Sequence, residues 1–121
     1  MKVVQTTYAT PVEILKFQDH YVGLAVMVAD TGVTADEYGR KIVPAGTIVG
    51  GSAGAILDTL DGLVTKKNNA SAEGVLIRDV DVTYGAAPGT MLIHAFINTD
   101  KLPEAPDAAA VTALKQITFL K

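Results

Sequence analysis

Cysteine and tryptophan are both absent from the 121 residues, and the aromatics are limited to four Tyr and three Phe. Without thiols there is no disulfide framework, no thiolate metal centre and no thiol nucleophile, so stability has to come from packing and assembly. Charge is scarce as well: Asp, Glu, Lys and Arg make up 19% of the chain, against roughly a quarter in an average soluble domain. The formal net charge is −3, and the basic pairs are Arg40-Lys41 and Lys66-Lys67. Phosphate binding needs clustered Lys and Arg to displace counterions, so nucleic acid is not an expected partner. Long apolar runs are missing too. Val22 to Ala29 is the longest, about eight residues where a membrane helix needs about twenty. The amino terminus shows no basic-then-apolar signal pattern, and the expectation is a protein made and used without crossing a membrane.

What is present is apolar bulk, with 49% hydrophobic residues and a mean hydropathy of +0.30. The length suits one domain, 1–121. A domain of this size buries only about two thirds of the surface that its unfolded chain exposes. Surplus apolar residues are therefore expected at a subunit interface, which makes self-association the first functional inference.

Along the chain, Lys2 to Thr10 is rich in Val, Gln, Thr and Tyr and reads as an extended arm or edge strand that ends at Pro11. Glu13 to Phe17 is ambiguous. Tyr21 to Ala29 (YVGLAVMVA) reads as a strand buried on both faces, closed by the turn Asp30-Thr31-Gly32. Two short β pieces flank Pro44-Ala45-Gly46, and Gly50 to Gly54 follows as a flexible loop. Ala55 to Lys66 fits either a helix or a hairpin. Glu73 to Thr83 reads as one strand, with Arg78, Val80 and Val82 on one face and Asp79 and Asp81 on the other. Tyr84 to Gly89 is a turn, and Thr90 to Asn98 is the partner strand. Asp107 stands where an N-cap belongs ahead of AAAVTALK, which predicts one short helix, and Ile117 to Leu120 returns as a terminal strand. The expected class is mainly β with one short C-terminal helix. No internal repeat or heptad appears.

Candidate chemistry is thin. His20 and His94 lie far apart in the sequence, in neither an H-E-x-x-H nor an H-x-H pattern, so a structural His94 is the preferred reading and no metal or cofactor is expected. Asp79 and Asp81 could hold calcium or act as an acid and base pair. Calcium wants about six to eight oxygens, usually from a tight loop, and an ordinary solvated or interface role is favoured. GTIVGGSAG lacks the Gly-Lys-Ser/Thr ending of a phosphate loop, and no serine sits in a Gly-x-Ser-x-Gly elbow. No catalytic residue is assigned and an enzyme is not expected. An enzyme built on Asp79, Asp81 and His94 would require the three to meet in one pocket.

The order of features in the second half is more informative: VPAGTIVGG, a gap, AEGVLIRDVDVT, a turn, TMLIHAFIN, a KLPEAP linker and a closing ALKQITFL. From about Ile42 to Lys121 this order resembles the head-decoration and head-fibre proteins of tailed phages, including the lambda-type decoration family. The resemblance implies a compact β-barrel or β-tulip-like domain with an extended amino-terminal arm over residues 1–10. It also implies a homotrimer bound to the major capsid protein on the outer surface of the virion, near three-fold positions, and synthesis in the host cytoplasm. In that family an arm orders on the shell, and by position the role falls on Lys2, Val3, Val4, Gln5, Thr6, Thr7 and Tyr8, although no motif there matches. The competing reading is the base of a head fibre or an adhesive module that touches carbohydrate or a host surface, which calls for an exposed aromatic cluster on one face.

Overall fold

A computed structural model describes residues 13–17, 19–52, 55–56 and 62–120. The arm residues Lys2 to Tyr8, and Lys2 to Thr10 as a whole, lie outside this set, as do residues 53–54 and 57–61.

The architecture is mainly β. The strands are β1 (Val22–Val28), β2 (Ile42–Val43), β3 (Ile48–Gly51), β4 (Leu63–Lys66), β5 (Gly74–Leu76), β6 (Val80–Asp81), β7 (Ala87–Asn98) and β8 (Ile117–Leu120). A 3-10 turn at Thr99–Lys101 and the helix α1 (Ala108–Ala113) join the last two strands. Pairing proceeds β1-β4-β3-β5-β7, and β7 pairs again with β1, which closes the five strands into a ring. Only the β1–β4 contact in this ring is parallel. Closure satisfies strand edges that an open sheet would leave bare. β2 and β6 form a separate small ladder.

The long strand β7 organises the rest. Its first half pairs antiparallel with β1, from Val28↔Ala87 to Val22↔His94, and its second half carries β8 in parallel register, from Ala95↔Ile117 to Asn98↔Leu120. Pro88 lies in its opening residues, ahead of the Met91 and Leu92 positions that pair with β5, where a strand tolerates proline. The strand starts at Ala87 rather than Thr90, so the expected turn over Tyr84 to Gly89 contracts toward Thr83–Gly85.

Consecutive residues of β3, β5 and β7 feed two cores. Val49, Leu76 and Met91 join Val26, Val28, Ile56, Val64, Val80 and Val82 inside the ring. Their neighbours Ile48, Val75 and Leu92 point the other way and pack with Ile14, Leu15, Ala95, Ile97, Ala110, Leu114 and Ile117. Each such fully buried aliphatic side chain is worth about 1.5–3 kcal/mol against exposure. The second core depends on α1, which begins as expected at Asp107, whose carboxylate accepts from the Ala109 N–H at 3.1 Å.

Two sequence expectations need correction. Strand β1 is buried on one face, with Val26 and Val28 inside and Gly23, Ala25 and Met27 exposed. The strands covered on both sides are β3, β5 and β7, because α1, β8 and the 13–17 segment lie over them and not over β1. The stretch from Glu73 to Thr83 is not one strand: it breaks at Ile77–Arg78 between β5 and β6. The Asp79 carboxylate takes the Ala45 N–H at 2.7 Å, which ties the break to the Pro44–Gly46 turn and delivers β6 to β2. Arg78 is consequently exposed beside Glu13 instead of sharing the buried face of Val80 and Val82. The ambiguous Ala55 to Lys66 segment ends as strand, β4.

Candidate functional site

The first candidate surface follows from the period-two alternation of β1. Register places Met27 opposite Leu63 on β4 and opposite Pro88 on β7, and Ala25 opposite Thr90. Paired residues share a face, so these side chains form one outer surface. Met27 is 42% exposed and Leu63 40%. Tyr21 to Ala29 contains no charged residue, and Val22 and Tyr21 extend the exposed apolar strip along the strand. A contiguous uncharged strip of this kind is the usual mark of an interaction surface.

The second surface lies where β1 begins. The register shifts between Val22 and Gly23, and beyond this irregularity the chain leaves β7 and returns to it at residues 14–16. The return is held by Lys16 N–H to the Phe96 carbonyl at 2.8 Å, by Asn98 N–H to the Ile14 carbonyl at 2.7 Å, and by a bridge between Leu15 and Ile97. The connection between these two contacts folds His20 over β7. Its Nε2 lies 3.0 Å from Nε2 of His94. Phe17 meets Phe96 edge-on at 5.4 Å between ring centroids, and His20 lies 5.4 Å from Phe96. An edge-to-face pair such as Phe17–Phe96 is worth about 0.5–1.5 kcal/mol beyond its buried area. Phe17, His20 and Tyr21 are exposed, while His94 and Phe96 are half-buried beneath them.

The chain's two histidines therefore meet, across 74 positions of sequence. Two neutral imidazoles in this contact share one proton, because one Nε2 donates and the other accepts. His94 Nδ1 is buried and has no hydrogen-bond partner among the described residues.

At the far end of the ring the loops are tied by local carboxylate contacts. Asp36 accepts from the N–H groups of Arg40 and Tyr38, both at 2.9 Å, and pairs with the Arg40 guanidinium. The Arg40 N–H foremost, with Tyr38 and the Arg40 charge, holds the Asp36 carboxyl below the usual carboxylate range. Asp81 is lowered first by the Thr83 hydroxyl and then by its N–H. A groove of about 320 Å³ opens nearby, lined by Val28, Val33, Ile42 and Val43, with the Lys66–Glu104 ion pair on its rim.

Asp79, Asp81 and His94 do not assemble into one site. The two carboxylates bind Ala45 and Thr83, His94 faces His20, and the groove is lined by none of the three. Among the described residues no group of three His, Cys, Asp or Glu side chains comes together. No helix among them is long and apolar enough to cross a membrane. The capsid-contact residues Lys2 to Tyr8 lie outside the described set. Sequence reasoning missed both the histidine pair and the Phe17–Phe96 contact, since they depend on where the loop after Phe17 returns to β7, and spacing alone carries no such signal.

Comparison with known proteins finds no matching family model and no matching curated protein.

Proposed function

We propose that this chain is a structural, non-enzymatic head protein of a tailed phage, which self-associates as a homotrimer and seats on the outer surface of the major capsid protein shell near its three-fold positions. One observation carries the self-association: β1 and β4 present an uncharged outer strip around Met27 and Leu63, while β3, β5 and β7 have theirs covered by the chain's own helix. The natural occupant of such a strip in a repeating shell is a second copy. Seating would involve Lys2, Val3, Val4, Gln5, Thr6, Thr7 and Tyr8, an uncharged Val/Thr/Tyr run after Lys2 suited to strand addition on a neighbour's sheet edge. Binding only the expanded shell stabilises it by mass action, by about 2.7 kcal/mol when the free protein stands at a hundred times its dissociation constant.

The test is light scattering of the purified protein followed by co-sedimentation with expanded empty shells. A trimer that pellets with shells, and stops pelleting when residues 2–8 are deleted, supports the reading. A strict monomer that ignores shells overturns it.

The exposed rings of Phe17, His20 and Tyr21, the first two packed on Phe96, favour a second reading, the base of a head fibre or an adhesive module, because exposed rings are what a sugar-stacking surface requires. A glycan array in which binding is lost on Phe17→Ala would decide for it.

A further inference from the structure

The geometry points to a binding site for a first-row divalent metal, Cu2+ before Ni2+ or Zn2+, formed by Nε2 of His20 and Nε2 of His94. This goes beyond the structural reading and does not depend on it. Two imidazole nitrogens each about 2.0–2.1 Å from one ion stand roughly 2.9 Å apart at a right angle and about 3.3 Å apart at the tetrahedral angle. The observed 3.0 Å lies within that span, so one ion can take both nitrogens with little movement of either ring. Without an ion the two atoms make a single hydrogen bond, in which the N–H of one Nε2 donates to the lone pair of the other. A metal satisfies both lone pairs at once.

The rings are also held in place before any ion arrives. His20 is packed against His94 at 4.9 Å and Phe96 at 5.4 Å between centroids, and Phe96 is in turn gripped by Phe17. Pre-positioned donors lose little freedom on binding. His20 is exposed, so the remaining coordination positions open to solvent and fill with water, there being no third His, Cys or carboxylate grouped with the pair among the described residues.

The metal order follows from the donors. Imidazole nitrogens suit copper, nickel and zinc, and affinity for a given nitrogen site rises to Cu2+ in the divalent series. A near-right-angle N–metal–N arrangement with water in the other positions is copper's preferred tetragonal geometry. The affinity is limited by His94 itself. Coordination through Nε2 requires the proton on Nδ1, which is buried without an acceptor, whereas strongly bound histidines hand that N–H to a partner. The site is therefore an exchangeable one.

Isothermal titration of the chelator-treated full chain with Cu2+, together with electron paramagnetic resonance of the loaded protein, tests this. The expected result is one equivalent bound, hyperfine structure from two imidazole nitrogens, and weaker binding by Ni2+ and Zn2+. Partners outside the coordination sphere alone change metal affinity by about 10–100-fold, so loss of a ligand in His20→Ala weakens binding by at least about tenfold. The exposed His20 position leaves the fold intact, which thermal melting by circular dichroism verifies, and His94→Asn should match it. Absence of Cu2+ binding by the unaltered chain overturns the proposal. So does equal binding by His20→Ala, which would place the ion elsewhere, for instance at the terminal amine.

Discussion

The Glu73 carboxylate accepts the backbone N–H of Gly51 at 2.6 Å and that of Ile56 at 2.8 Å, so one side chain fastens both where the chain leaves β3 and where it turns back into the core. Hydrogen bonds to a charged acceptor contribute about 1.5–3 kcal/mol each, and a partly buried N–H left bare costs about 1–3 kcal/mol. Glu73→Ala should therefore lower the unfolding free energy by about 2–4 kcal/mol in urea titration. A loss below about half a kcal/mol would show that water replaces the carboxylate without penalty.

Gly74 is next along the chain, and a Cβ there would run into the Met91 side chain and lie 2.6 Å from the Leu92 carbonyl oxygen. The β5–β7 contact thus needs glycine for closeness. Overpacking of this kind costs about 1–3 kcal/mol. Gly74→Ala is expected to lower the melting temperature by several degrees, read by calorimetry, and Met91→Ala in the same chain should relieve part of the clash.

Met27→Lys places a charge on the open strip without touching the interior. Surface changes of this sort usually alter stability by under about 0.5 kcal/mol. The expected outcome is an unchanged urea midpoint together with a shift toward monomer in sedimentation velocity. Retention of the oligomer would move the subunit contact to another face.

Acid should loosen the linker that rims the groove. The Glu104 carboxyl lies below its usual range, chiefly through the Lys66 ammonium and then through Asn68. A carboxyl whose folded value is depressed contributes stability above its ordinary titration range and loses it as pH falls through the lower folded value. The Lys66–Glu104 contribution should accordingly be complete near neutrality and disappear in strong acid. Glu104→Gln removes that part of the pH dependence, which the urea midpoint followed from neutral pH into acid would report. A midpoint curve identical in the variant would mean that solvent already screens the pair.

Much of the strand order was legible because its signals are local. Ile117 to Leu120 formed the expected strand, Asp107 capped α1, and the pieces flanking Pro44 to Gly46 became β2 and β3. The errors arose where tertiary cover decides. YVGLAVMVA and TMLIHAFIN look alike in composition, yet α1 and β8 lie over the second and not the first. Nothing within either run says which will be roofed. The Glu73 to Thr83 stretch alternates like one strand, but Asp79 commits its carboxylate to Ala45, a residue 34 positions away, and the chain changes ladders there, from β5 on β7 to β6 on β2. The histidine pair was hidden for the same reason, since its two halves are joined only by the path of the loop after Phe17.

The ring is closed by β1 and β7, so its first and last staves are separated by most of the described chain. During synthesis the uncharged β1 segment emerges well before β7, its antiparallel partner among the described residues, has left the ribosome. For that interval β1 is an adhesive strand without a mate, and pairing of this range in sequence is intrinsically slow. The molecule must then reach its final form in a late, concerted step rather than strand by strand, and crowding of unfinished chains is the condition under which it would aggregate.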